Sequence, residues 1–369
     1  MAYAVRPWDR NWYRTCRRAW DFGSRTRRNL EPAKPAFSVD VDRALRDALA
    51  VYYFPGMWEW DRSVVLPLTN QALERAMRQQ RDPYPELTPE QNAEWEAGLE
   101  TGRTLLGHYL EWAPAVDRFW PVRVETDFDV QVPDWRSPGD DLVVPGRQDA
   151  IRYQGRVDML VVDEHDAYWM VRHRLASDGF SDHDLLVLDD ELVAAAWAWE
   201  IFYLGMTVAG TIHNEMVPEA TPPDPADPVR RPRASHAFAR ARAGHRRMYV
   251  QAEQMPSEVM VEEGGGMFRR TRIPRSRTEL ANLGRHLGQE TLEMSSPEVV
   301  PYPTPGAHCR GCDYRRPCLA LQEGDDAEPV LAEGYRTRPE EVPEEGRLGG
   351  VTWSMNRGAA PPAHWRNRR

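Results

Sequence analysis

The chain has 369 residues, 41% hydrophobic and 28% charged, which suits a folded protein with a sizeable core and excludes a fibrous or wholly disordered one. Its formal charge of -10 excludes a polycation that coats nucleic acid with its whole surface, so any such contact must use local patches. Of 47 basic residues only Lys34 is a lysine, set between Pro32 and Pro35, which leaves Schiff-base and phosphate-loop chemistry almost no residue to use.

The first residues lack an apolar signal core, and four cysteines are too few for a disulfide scaffold; a reducing cytoplasm is the expected compartment. Residues 1–30 carry eight arginines from Arg6 to Arg28 against Asp9 and Asp21. Trp12, Cys16 and Trp20 recur every fourth residue, the spacing of one helical face. Residues 40–53, 69–80 and 90–112 read as further helices.

Strand texture follows. Over 121–133, Val122, Val124, Thr126, Phe128, Val130 and Val132 alternate with charged residues, predicting a half-buried strand. Residues 151–162 and 168–175 read as consecutive antiparallel strands around the polar turn 163–166. From Leu192 to Ile212 only Glu200 is charged, a stretch long enough to cross a bilayer. Its acidic or neutral flanks and the punctuating Gly205 and Gly210 instead predict a buried helix over 190–204 and a strand over 206–216. No membrane partner is expected.

A Pro-rich connector leads to 229–247, where Arg230, Arg231, Arg233, Arg240, Arg242, Arg246 and Arg247 stand without one acid. This run reads either as a phosphate-binding patch for DNA or as a solvated surface arm. Helices are expected over 234–254 and 276–293, and 323–369 reads as a mostly disordered Pro/Glu/Gly-rich tail after a domain of 1–322.

Cys309, Cys312 and Cys318 form C-x2-C-x5-C, with Cys16 far upstream. A C-x2-C pair turns two thiolates towards one ion, and a third can close around it, leaving one position that Cys16 could fill. Four thiolates suit either a [4Fe–4S] cluster or a structural zinc.

With that cysteine arrangement the chain resembles the iron–sulfur branch of the PD-(D/E)XK nucleases, which includes RecB-like and CRISPR-associated exonucleases. The resemblance covers roughly residues 8–322. It rests on Tyr13-Arg-Thr-Cys16-Arg-Arg-Ala-Trp20, Gly102-Arg-Thr-Leu-Leu-Gly-His108, Val124-Glu125-Thr-Asp-Phe128, Gly155-Arg-Val-Asp158 and the segment Tyr302 to Cys318. It implies an α/β fold with a restriction-endonuclease-like core, a mixed central sheet flanked by helices, helical additions and a clasp formed by the terminal cysteines. Asp158, with Glu125 and His108, falls where the family binds Mg or Mn.

The family's acid-x-Lys pair is Arg172-His-Arg174 here. Lys to Arg at 174 keeps the charge. Acid to Arg at 172 replaces an oxygen ligand by a permanent cation, and two like unit charges about 4 Å apart repel by roughly 4 kcal/mol at an effective dielectric of 20. The helix position where the family carries Gln is Glu191, and the Tyr position is Ala195. The resemblance therefore implies a nuclease fold that has lost cleavage and serves as a DNA-binding or DNA-processing accessory, with DNA or a DNA-processing protein as partner. Arginines in 1–30, 229–247 and 269–277 would make the contact. Two other readings stay open: an active metal-dependent exonuclease with a rearranged site, and a zinc-stapled regulatory module with no nucleic-acid role. Taken alone, Asp158 could equally cap a turn or pair with Arg172 or Arg174, Glu125 could be solvated beside Arg123, and His108 could be a structural histidine.

Overall fold

The computed structural model describes residues 2–218, 261–263 and 266–339. The helix expected over 234–254 and the arginine run lie outside them. The chain forms two compact units: Met1–Phe37, Phe128–Gly155 and Asn282–Arg369 make one, Ser38–Asp127 and Arg156–Ala281 the other.

In the first unit β1 (Tyr3–Val5) pairs in parallel with the opening residues of β4 (Ile151–Asp163), Tyr3 opposite Ile151. Helices α1 (Pro7–Thr15) and α2 (Arg17–Gly23) follow β1. The single helical face expected for Trp12, Cys16 and Trp20 is broken. Cys16 is extended at φ -158, ψ 106, ending one helix and starting the next. Its backbone still works at both ends, the N–H bonding Trp12 O and the carbonyl accepting Trp20 N. Tyr13 and Trp20 nonetheless meet edge to face at 4.9 Å, inside a buried cluster with Val5 and Met294.

In the second unit α3 (Val41–Tyr52) is capped by Asp40, which accepts the Arg43 N–H at 2.9 Å. Ala44, Leu45, Ala48 and Leu49 line its buried face at helical spacing. Helix α4 (Arg62–Arg81) starts earlier than expected because Asp61 caps it, and Pro67 is carried inside. Thr88 and Gln91 form a capping box for α5 (Pro89–Val116).

The sheet is mixed, in the order β1-β4-β5-β6-β8-β7, with β3 (Phe119–Gln131) also on β4. As the sequence predicts, β4 and β5 (Tyr168–Leu175) are antiparallel. Strand β6 (Val208–Met216) runs parallel to β5 after α6 (His183–Val187) and α7 (Asp190–Phe202), while β8 (Phe268–Pro274) is antiparallel to β6 and to β7 (Val261–Glu263). Helices α3 and α7 pack against β5, and α7 also against β6. The apolar stretch 192–212 is thus the inner helix α7 and the buried strand β6, and among the described residues no helix is long and apolar enough to cross a membrane.

After α8 (Arg277–Ser295) come a 3-10 turn (Ala307–Gly311), α9 (Arg315–Glu323), α10 (Glu328–Gly334) and β9 (Tyr335–Thr337). The tail expected from 323 is therefore ordered at least to 339. Its β9 is antiparallel to β2 (Leu30–Pro32), and an apolar pair, Ala327 and Leu331, holds α10 in a buried cluster. Short apolar anchors set among acidic residues gave the sequence no visible periodicity there.

Candidate functional site

The second unit gathers acids where two strands part. The β4–β5 ladder ends at the pair Met159 and Val171. Beyond it the next inward-facing N–H groups of β5, those of His173 and Leu175, find carboxylates instead of a strand. The His173 N–H donates to Asp158 at 3.0 Å and the Leu175 N–H to Asp42 of α3 at 2.6 Å. Buried backbone donors need partners, and here side-chain acids supply them.

Arg46, one turn along α3, sits among these acids and pairs with Asp42 at 3.1 Å. Burial works against its charge, but Asp158, Asp42 and Glu125 more than offset that, and its pKa is raised. Asp158 is itself pushed upward, by burial first, with Arg46 and then Arg172 opposing. Glu125 lies on β3 with φ 40, a left-handed conformation unusual for a side chain of this size. Burial and then the Asp158 charge raise it to about 7, against Arg156 at 3.6 Å and Arg46. Glu125 is thus not the solvated residue that the strand alternation allows; its side chain is only 13% exposed.

Arg172 does not close onto Asp158. Its guanidinium reaches the N-terminus of α7, 2.6 Å from Glu191 and 3.4 Å from Asp189. Both charges raise its pKa despite burial. His213, its neighbour on β6, is buried and lowered to about 4, with Asp189 3.8 Å away. Arg174 is exposed. His108 is half-buried on α5, and no ion pair joins it to the acids among the described residues.

Around the His173 side chain lies a buried polar network. Arg270, 1% exposed, pairs with Asp117 at 2.5 Å and donates to Tyr109 at 3.1 Å. Tyr53 and Tyr109 share a hydrogen bond of 2.8 Å, and Asn214 joins Tyr109 to the His173 ring. Burial lowers His173 to about 3, so the ring is neutral, stacked on Tyr53. This network holds the His173 side chain and with it the His173 N–H that donates to Asp158.

Sequence reasoning missed Asp42 and Arg46; Asp189 falls within 182–191, from which the active-exonuclease reading draws an acid. Asp42 and Arg46 stand four apart on α3, the spacing of a helical ion pair, which is a faint signal because such pairs are common on surfaces.

The cysteines all belong to the first unit. Cys16 is buried and Cys309, Cys312 and Cys318 are half-buried, all as free thiols. Burial pushes the Cys312 thiol up, and the charges of Cys16, Cys309 and Cys318 add to it, so the four are electrostatic neighbours. Arg18 ties the segments: its N–H donates to Tyr302 O at 3.1 Å and its guanidinium to Pro301 O at 3.3 Å and Cys318 O at 3.4 Å. Among the described residues, however, no three or more His, Cys, Asp or Glu side chains stand arranged to hold a metal ion.

Several arginines of 1–30 and 269–277 hold carboxylates of their own chain. Arg10 and Arg14 share Glu290, Arg17 holds Glu293, and Arg28 holds Glu328. Arg269 pairs with Glu215, Arg275 with Glu279 and Arg277 with Glu200. Arg230, Arg231, Arg233, Arg240, Arg242, Arg246 and Arg247 lie outside the described residues.

No family model matches the chain, and no curated protein matches it. A solved structure described as the crystal structure of SSO0001 aligns over 78% of this chain and 88% of that chain, at 12% identity and a TM-score of 0.30. A likeness that slight carries no argument about fold or function.

Proposed function

We propose that the protein is a RecB-like nuclease-fold protein that does not cleave, stapled by an iron–sulfur cluster and acting as an accessory in DNA processing. The observation that carries the loss of cleavage is Arg46. It supplies the positive charge among Asp42, Asp158 and Glu125 that a divalent cation would otherwise supply. Arg172, standing where the nuclease pattern has an acid, is neutralised by Glu191 and Asp189. An arginine fork offers donors and no lone pair, so neither Arg46 nor Arg172 can ligate Mg or Mn, and each holds a positive charge that competes with a cation for these acids.

For the cluster, the support is the chemistry of the donors and their neighbourhood: four free thiols in one unit, with Cys312 feeling the charge of the other three. When bound, such a group would join Cys16 to the C-terminal trio as a structural clamp. Contact with DNA falls mainly to the arginine run 229–247, because the other arginine patches hold carboxylates of their own chain.

The deciding experiment is cleavage of end-labelled DNA with Mg or Mn, using the unaltered protein and Asp158→Ala. Neither is expected to cut. Cutting that disappears in Asp158→Ala establishes the rearranged exonuclease instead. Metal and sulfide analysis of anaerobically purified protein should give a brown sample with about four iron and four sulfide per chain; a colourless sample with one zinc establishes the zinc-stapled reading.

A further inference from the structure

The segment that follows the cysteines folds back against the buried cluster on which Cys312 packs. Gly324, at φ 89, reverses the chain after α9, and α10 and β9 return it to β2. The short ladder is extended at both ends: the Ala33 N–H donates to Gly334 O at 2.9 Å and the Arg338 N–H to Asn29 O at 2.8 Å. The Arg338 guanidinium donates to Gly23 O at 3.1 Å and lies over the Trp8 ring, and Glu31 accepts from both Arg336 and Arg338. Beneath, Ala327 and Leu331 join Phe22 and Tyr314 in one buried cluster, and Cys312 packs against it. Tyr335 stacks on Tyr314 at 5.8 Å and donates its hydroxyl to Asp313 O, the residue next to Cys312.

The joining of the two chain ends therefore has a part made of hydrogen bonds and apolar contact, with no metal in it. We propose that residues 324–339 are a strap that closes over Cys312 and controls the access of oxidants, alkylating reagents and metal ions to that thiol. A thiol reacts only when its sulfur is reached, so covering it slows every such reaction by the population of the open state. The strap is suited to opening on its own. A two-stranded ladder is marginal in water, and α10 is held by the buried Ala327 and Leu331 and by two solvent-facing ion pairs, Arg28–Glu328 and Arg316–Glu333, so the strap can open without the rest of the unit. The inference stands on the packing of Cys312 and not on the identity of any bound metal.

The test follows alkylation of Cys312 by iodoacetamide in metal-free protein, read by peptide mass spectrometry, with Cys309 of the same chain as reference. In Leu331→Ala and Arg338→Ala the Cys312 rate should rise at least about tenfold relative to Cys309, as expected when local opening controls access. If Cys312 reacts as fast as Cys309 in the unaltered chain, or if its relative rate stays put in both variants, the strap is refuted. Should a variant unfold altogether, the unaltered chain decides. Cys312 alkylation and exchange of the Ala33 and Arg338 amides should increase with urea along one shared slope, and separate slopes refute the strap. Loss of bound iron to a chelator should accelerate in the same variants. A parent protein that never carries iron overturns the cluster reading while the alkylation result still judges the strap.

Discussion

Glu125 shows how far one side chain can be displaced by its surroundings. Its backbone is left-handed at φ 40, and its carboxyl is raised from 4.5 to about 7 by burial and by Asp158. A carboxyl raised on folding binds its proton more tightly in the native state, so its contribution is complete below pH 4.5 and lost as pH climbs through 7. The unaltered protein should therefore lose about 3 kcal/mol between pH 4.5 and 7.5 relative to Glu125→Gln, read from urea midpoints across that range. His173 and His213 act with opposite sign. Lowered to about 3 and about 4, they add stability as pH rises towards 6.5, and they cancel in the comparison because both proteins carry them. The raised pKa of Glu125 was hidden in the sequence: alternation along β3 put it on the polar face beside Arg123, and only the fold puts Asp158 against it. Asp158 itself was legible from Gly155-Arg-Val-Asp158, whereas Arg46 was not, since nothing local marks an arginine that will face acids from three separate elements.

Among the elements, β5 carries the most consequence, and its edges can be tested one at a time. Asp42→Ala removes the acceptor of the Leu175 N–H and the partner of Arg46 together. It should cost about 1–3 kcal/mol in urea unfolding, with Asp42→Asn costing less because its side-chain oxygen can still accept. On β6, Gly210 lies so close to β8 that an added Cβ would meet the carbonyl of Ile273 and the Trp169 ring. The carbonyl belongs to the β6–β8 ladder and cannot yield cheaply, so Gly210→Ala should destabilise by about 1–3 kcal/mol in the same measurement. Most elements were legible because their signals are local and physical: the alternation of β3, the polar turn between β4 and β5. The break at Cys16 was not, because periodic aromatic residues describe a continuous helix equally well. The Gly205 break after α7 was read correctly since glycine there takes φ 89, which other residues resist.

For the whole molecule, the distribution of arginine matters more than its abundance. Several of the described N-terminal and 269–277 arginines face carboxylates from distant parts of the sequence, as in Arg28 with Glu328 and the buried Arg270 with Asp117. Sequence alone showed them as basic patches because their partners lie up to hundreds of residues away. On the proposed DNA-accessory reading, affinity for DNA in a mobility-shift assay should fall at least about tenfold, with a shallower salt dependence, when the seven arginines of 229–247 become alanine. Replacing Arg14, Arg17 and Arg277 by alanine should leave that affinity within about twofold; an equal loss in both sets would place the contact on the paired arginines instead.

The discontinuity of the first unit also dictates an order of events during synthesis. Met1–Phe37 emerges from the ribosome ahead of the segments it packs with, so β2 must wait for β9, and Tyr13 and Trp20 must wait for Met294. The segments Ser38–Asp127 and Arg156–Ala281 are both available well before then. Translation thus leaves the N-terminal aromatic residues uncovered for nearly the whole passage of the chain, an interval in which chaperone capture competes with misfolding. Cys16 likewise waits for Cys309, Cys312 and Cys318, its neighbours in the folded unit.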